Sequence, residues 1–320
     1  MDLIYMNESR EDIGILHDYK FDLAFGEDEN DFELKIPASA HCCGKGFFIY
    51  IDGTEYGGIV DEIASDTEAE EVTYTGRTWH GMLNSKIIEP DAGQDYLVFS
   101  GDANTILGAL IVRLGLGDLF TASSEDSGMT ISNYKMNRYI PAYEGIRKLL
   151  KTKNGKLRFA FKGGKINLSA HPRGDYTQDR GLDSDFVELK VKRHYNAVNH
   201  LICLGRGELA ARDVIHLYAD ADGNISKTQT FTGLDERSAV YENTSAESVD
   251  DLESGGIDRL KELTLADEVD AALDEDSDQY EVQDIIGATD NIIGLTVTAE
   301  ITKKIVTIEN GQITISYKVG

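Results

Sequence analysis

FFIYIDGTEYGGIVDEI, residues 47–63, sets the reading of the whole chain. Two runs rich in Phe, Ile, Tyr and Val are interrupted by Asp52-Gly53 and Gly57-Gly58, pairs that supply the positive φ of tight turns. The stretch therefore reads as strands in hairpin order. Toward the N-terminus the same alternation gives FDLAF (21–25), the turn GEDEND (26–31) and FELKI (32–36), with PASAHCCGKG (37–46) as a loop. Toward the C-terminus EAEEVTYTGRTWHGMLNSKIIEP (68–90) reads as one more strand ending at Pro90. Four prolines against 31 glycines suit short strands joined by glycine turns.

After Ser100 the apolar spacing changes. In GDANTILGALIVRLGLG (101–117), Ile106, Leu107, Leu110, Ile111 and Leu114 recur at helical spacing, and Asp102 is placed to cap them. PAYEGIRKLLKTKNGK (141–156) predicts a second helix opened by Pro141 and closed by lysines. LRFAFKGGKINLSA (157–170) predicts a hairpin over Gly163-Gly164. Strand signals return in HLICL (200–204), VIHLY (214–218) and the closing runs GLTVTAEIT, KIVTIENG and QITISYKVG (294–320). Between them, 246–278 reads as helical and broken at Gly255-Gly256. The expected organisation is a β-rich α+β chain. Its parts are a first β domain (1–100), a small α/β insertion (101–171) and a second β domain (172–320) with a helical insertion at about 245–276.

The chain has 320 residues, 57 acidic against 31 basic, and a formal charge of −26. Such a surface gives no non-specific attraction to nucleic acid or anionic lipid. Three cysteines (Cys42, Cys43, Cys203) make no disulfide framework. No apolar run approaches 18 residues, and MDLIYMNESRED carries no secretory pattern, so no membrane contact is expected. Residues 130–212 hold 17 Lys or Arg and 7 Asp or Glu, and residues 235–285 hold 3 and 18. Pairing across subunits is expected between Lys135–Arg212 and Asp235–Asp284, with Arg147 and Lys148 taking part.

Several motifs invite chemistry and fail on context. GRGELA (205–210) matches a relaxed dinucleotide fingerprint, but no helix follows it to receive a pyrophosphate. DADGN (220–224) lacks the flanking carboxylates of a calcium loop, since Tyr218 and Gln229 stand at its ends, and reads as a type I′ turn. His41-Cys42-Cys43 has no second ligand pair at metal-binding spacing and reads as a loop with a buried thiol. Cys203 lies three residues from His200 and nine from His194, odd separations that put the partners on opposite faces of a strand. Trp79, the only tryptophan, is expected in the first core rather than under a sugar. No catalytic, cofactor-binding or metal residue is assigned.

The order of these elements carries a resemblance. YTGRTWHGMLNSKIIEP (Tyr74–Pro90) resembles the strand, glycine and L-L-x-x-R-I-I-x-P element of phage tail hub proteins, namely the siphophage Gp37-like family and its myophage baseplate relatives. Lys86 stands where arginine is common. GDANTILGALI, YIPAYEGIRKLL, the stretch from Tyr195 to Ile225 and the closing strands follow in the family's order, covering about residues 20–320. YEVQDIIG (280–287) matches Y-x-x-G-D-x-V with Gln283 in place of the glycine. The resemblance implies two tail-tube-like β-barrel domains per subunit and a homotrimeric ring, joining a tail tube or distal tail protein to a spike or tip protein. A tape measure protein is a further partner, and DNA touches the ring only in transit. The implied location is the virion tail of a phage or prophage, assembled in the host bacterial cytoplasm. It implies a structural protein, not an enzyme, with no cofactor. The rival classes are a tail-associated peptidoglycan hydrolase and a host-surface carbohydrate-binding module. The chain's end directly after its last predicted strand speaks against the first. The single tryptophan speaks against the second.

Overall fold

The β-branched and aromatic runs form the strands, and turn residues divide them. The computed structural model describes residues 2–177, 182–183, 189–193, 197–221, 223–246, 248–264, 267–275, 280–309 and 311–320. In chain order the elements are Leu3–Met6 (β1), Asp12–Leu16 (β2), Lys20–Gly26 (β3), Asp31–Pro37 (β4), Phe48–Tyr50 (β5), Gly57–Asp66 (β6) and Glu71–Thr78 (β7), followed by the helix Trp79–Asn84 (α1). Ile87–Ile88 (β8), Leu97–Asp102 (β9), Ala103–Arg113 (α2), Phe120–Ala122 (β10), Thr130–Met136 (β11), Ile140–Pro141 (β12), Ala142–Lys151 (α3), Gly155–Lys162 (β13) and Lys165–Pro172 (β14) come next. Then come Asp175–Tyr176 (β15), Leu182–Asp183 (β16), Leu189–Arg193 (β17), His200–Leu204 (β18), Val214–Ala219 (β19), Ile225–Ser226 (β20), Ser238–Glu242 (β21) and Val249–Thr264 (α4). Asp267–Glu275 (β22), Ile285–Asp290 (β23), Leu295–Glu309 (β24) and Gln312–Val319 (β25) close the chain.

Contacts divide these elements into two compact units, 1–189 with 270–320, and 190–269. In the first, the main sheet runs β22-β25-β24-β3-β4-β7-β6-β5-β1-β2, with β23 pairing on β24. Strand β3 thus joins the C-terminal β24, in the register Lys303↔Gly26 through Glu309↔Lys20. The order does not return on itself, so no closed barrel is found among the described residues. The α/β stretch shares a core with the N-terminal strands, because Met6, Phe48, Tyr50 and Trp79 pack with Leu107, Leu150, Phe161 and Leu168. Trp79 is fully buried there.

In the second unit β18 pairs antiparallel with β19 and parallel with β21, and β19 pairs with β20. Helix α4 seals one face of this sheet, where Leu252 and Leu260 meet Leu201, Cys203 and Leu217.

Several local expectations hold for the stated reasons. The Asp102 carboxylate accepts from the Asn104 and Thr105 amides at 2.9 and 3.2 Å and caps α2. Pro141 opens α3, and Lys148 and Lys151 lie in its last turn. Gly163 and Gly164, at φ +60° and +75°, join Lys162 to Lys165.

Others are corrected. Trp79–Asn84 is helical rather than a continuation of β7, because the Thr78 hydroxyl caps it at the Gly81 amide, 3.3 Å away. Gly57-Gly58 lies inside β6, where a Cβ would fall 2.6 Å from the Trp79 ring and 2.2 Å from the Arg77 carbonyl; close approach, not a turn, demands the glycines. Helix α4 runs unbroken through Gly255-Gly256, because a Cβ at Gly256 would meet the Cys203 sulfur at 2.5 Å. The helix ends at Thr264, and 267–275, expected helical, is a strand held by β25 from Ala272↔Lys318 to Glu275↔Ile315. DADGN is a five-residue connection between Ala219 and Ile225 rather than a two-residue turn, with Asn224 N–H donating to the Asp220 carboxylate at 2.9 Å.

Candidate functional site

The chemistry of the larger unit concentrates where β24 passes α1 and the residues between β5 and β6. Alternation along β24 puts Lys304, Val306 and Ile308 on one face, and all three are fully buried. The Lys304 ammonium lies 2.8 Å from Glu55 Oε1 and over the rings of Phe25 and Tyr56, at 5.7 and 5.3 Å. His80, on α1, turns Nε2 toward Glu55 Oε2 at 3.6 Å. Its ring stacks on Phe25, with centroids 4.4 Å apart and planes at 4°, and packs on Phe159 at 3.9 Å. Burial raises the Glu55 carboxyl pKa, but the Lys304 charge and His80 outweigh it and hold the group at about 2. Burial pushes His80 below its ordinary value, with Glu55 opposing, so the ring is neutral near pH 7. Glu55 is the carboxylate nearest the ring and lies on its Nε2 side. None of these three residues announces itself in motif spacing. The available signal was a lysine at an inward position of an alternating strand.

A belt of ion pairs continues from this cluster. Lys156, buried on β13, lies 2.7 Å from the fully buried Asp284 and also pairs with Glu281, which binds Arg158 at 2.7 Å. Glu300 takes Lys151 at 2.7 Å and Arg173 at 2.9 Å, and Arg147 reaches Glu27 at 3.1 Å. Lys148 pairs with Glu144 at 2.7 Å along α3. Pairing across subunits was expected of the basic and acidic stretches. Within the chain Lys156 and Arg158 meet Glu281 and Asp284, because β13 lies against that segment, while Arg147 meets Glu27 and Lys148 meets Glu144 on its own helix. Gln283 sits in this belt at φ +80°, with its amide donating to the Ile301 carbonyl at 2.8 Å and its side chain to the Arg147 carbonyl at 3.3 Å. A glycine at the matching family position is what that left-handed backbone would favour.

The remaining candidates fall apart as chemistry. The Tyr74 hydroxyl gathers the His41-Cys42-Cys43 loop, lying 2.7 Å from His41 Nδ1 and accepting from the Cys42 and Cys43 amides at 3.2 and 3.3 Å. Burial raises the Cys43 thiol pKa strongly, so it is no ready thiolate. GRGELA is the loop between β18 and β19, closed by a short 3₁₀ turn at Leu209–Ala211. Cys203 faces α4, while His200 lies on the other side of its strand, hydrogen-bonded to Glu236 at 2.6 Å and to His216 at 2.8 Å. His194 lies outside the described residues. Among the described residues no group of three or more His, Cys, Asp or Glu side chains is placed to hold a metal ion. No helix among them is long and apolar enough to cross a membrane.

No protein-family model matches the chain, and no curated protein matches it by sequence. Solved structures do. The 43 kDa tail protein of prophage MuSo2 from Shewanella oneidensis is similar at a TM-score of 0.61 and 12% identity, over 100% of this chain and 98% of that one. A prophage tail protein, gp18, from Listeria monocytogenes EGD-e is similar at 0.56 and 12%, over 99% and 94%. A tail protein from Neisseria meningitidis MC58 is similar at 0.55 and 10%, over 99% and 95%. The β-rich α+β fold is therefore one seen in phage and prophage tail proteins.

Proposed function

We propose that this chain is a structural component of a phage or phage-like tail, and within it the hub of the tail tip or baseplate. The observation that carries the reading is end-to-end likeness: each of the three tail proteins is matched over at least 94% of its length. In the proposed assembly three copies form a ring that joins the tail tube or distal tail protein to the spike or tip protein and lets DNA pass. The order Tyr74–Pro90, α2, α3 and closing strands supports the hub family within the wider class of tail proteins.

The division into a first barrel domain (1–100), an insertion (101–171) and a second barrel domain (172–320) belongs to this proposal. The open strand order of the chain is completed into barrels by neighbouring copies. The formal charge of −26 per chain supports passage of DNA, since an acidic bore repels phosphate. The role is architectural, and the chain acts in the virion tail after assembly in the bacterial host.

Light scattering tests the proposal. The 35.3 kDa chain is expected at three times its own mass when alone, or at three copies per particle with its tail-tube partner, with ring-shaped particles in negative stain. A chain that remains monomeric with those partners, or a ring whose bore is lined mainly by lysine and arginine, overturns it.

A further inference from the structure

The connection between β4 and β5 sets two sulfurs side by side. Cys42 and Cys43 have their Sγ atoms 3.7 Å apart, in contact with each other. On an extended strand adjacent side chains point to opposite faces, so the backbone here is curled. The fully buried Tyr74 curls it, because the amides of both cysteines converge on its hydroxyl oxygen at 3.2 and 3.3 Å. His41 Nδ1 meets the same oxygen at 2.7 Å, and beyond the pair the Phe47 amide donates back to the Gly44 carbonyl at 3.2 Å.

The two sulfurs differ in access. Cys42 is partly exposed, whereas Cys43 is 2% exposed, and burial holds it as the thiol. A reagent from solvent therefore meets Cys42 first, and Cys43 reacts only with what its neighbour already carries. The third cysteine, Cys203, is fully buried against α4 in the other compact unit.

We infer that Cys42 and Cys43 form a reversible exchange site for low-molecular-weight disulfides, in which Cys42 attacks first and Cys43 resolves the adduct. The Cys42 thiolate attacks one sulfur of oxidised glutathione, forms a mixed disulfide and expels one glutathione thiolate, which takes up a proton. Cys43 then gives its proton to solvent as its sulfur attacks Cys42 Sγ, the bond to glutathione breaks, and the second glutathione leaves. Two protein thiols lose two electrons, and one glutathione disulfide becomes two thiols. Adjacent Cα atoms lie about 3.8 Å apart across a trans peptide, closer than the roughly 4.4–6.8 Å usual for disulfides, so the ring is strained and readily reopened. The site goes beyond the tail reading and stands without it.

The full chain, native and in urea, is equilibrated in glutathione buffers of graded redox poise, quenched with iodoacetamide and digested with trypsin. The peptide 36–45 carries both cysteines and no other. From native protein it is expected to be lighter by two hydrogen atoms. Half-oxidation is expected at a [GSH]²/[GSSG] at least about tenfold higher than in urea, because the fold holds the sulfurs together beforehand. Cys43→Ser is expected to stop at a glutathione adduct on Cys42, and Cys42→Ser to take up glutathione at least about tenfold more slowly, since its remaining thiol is buried. A native peptide that stays reduced, a lasting glutathione adduct in the wild type, equal half-oxidation with and without urea, or equal rates in the two serine variants overturns the inference.

Discussion

Lys304→Met is the sharpest test of how the larger unit is held together. Methionine matches the lysine stem in length and leaves the Glu55 carboxylate without its cation in a buried setting. Losing one member of a buried ion pair costs about 3–5 kcal/mol. Glu55 gives an independent figure, since a fall from the ordinary 4.5 to about 2 corresponds to about 3 kcal/mol. For the wild type, a lowered folded-state value means that this contribution is fully present above pH 4.5 and fades as pH falls through about 2. In Lys304→Met burial acts unopposed by Lys304, the folded-state value rises above 4.5, and stability climbs as pH drops from 7 to 5. The two proteins thus respond to acid with opposite sign. Urea unfolding at pH 7, 5 and 3, read by the fluorescence of Trp79, measures both effects: the wild type is flat between pH 7 and 5 and weakens toward pH 3, while the variant gains between pH 7 and 5. Glu55→Gln with Lys304→Met is expected to recover most of the loss and to flatten the pH response. A single variant within about 1 kcal/mol of wild type at pH 7, or one that weakens between pH 7 and 5, would refute the argument.

Three further outcomes follow from particular contacts. Gly256→Ala adds a methyl 2.5 Å from the Cys203 sulfur and 2.8 Å from Leu217, so thermal unfolding of the smaller unit should show a loss of about 1–3 kcal/mol despite alanine's higher helix propensity. Gly255→Ala meets only the tip of the Tyr241 side chain and should cost less. At Gln283, φ +80° makes Gly the better truncation: Gln283→Gly should be more stable than Gln283→Ala by about 1 kcal/mol in urea titration, and equality would remove the strain argument. Tyr74→Phe deletes the hydroxyl that gathers residues 41–43, and Cys43 should react with a thiol reagent several times faster while the rest of the fold persists. An unchanged rate would show that packing alone shields the thiol.

What the sequence made legible was local. A carboxylate before an apolar helical stripe, a proline opening a helix and two glycines between strands each act within a few residues, and Asp102, Pro141 and Gly163-Gly164 behave accordingly. The misreadings share one cause, a distant neighbour. Gly57, Gly58, Gly255 and Gly256 look like breaks but are clearances for Trp79, Arg77, Tyr241 and Cys203, which only folding brings near. Residues 267–275 carry a helical pattern and are drawn into extension by β25. The Glu55, His80 and Lys304 cluster was invisible as a motif because its members sit on a connection, a helix and a strand separated in the chain. Basic and acidic stretches were visible as charge, but their partners follow from topology.

The pairing of β3 with β24 has a temporal side. The Thr307 hydroxyl meets the Asp22 carboxylate at 2.5 Å across a separation of 285 residues. A ribosome adding 5–20 residues per second needs on the order of half a minute to deliver the second strand after the first. Throughout that interval Phe21, Leu23 and Phe25 await their central neighbour, and an interrupted translation product cannot complete the sheet. Synthesis therefore gates maturation: a polypeptide released early lacks the strand that joins the two ends of the chain in one sheet.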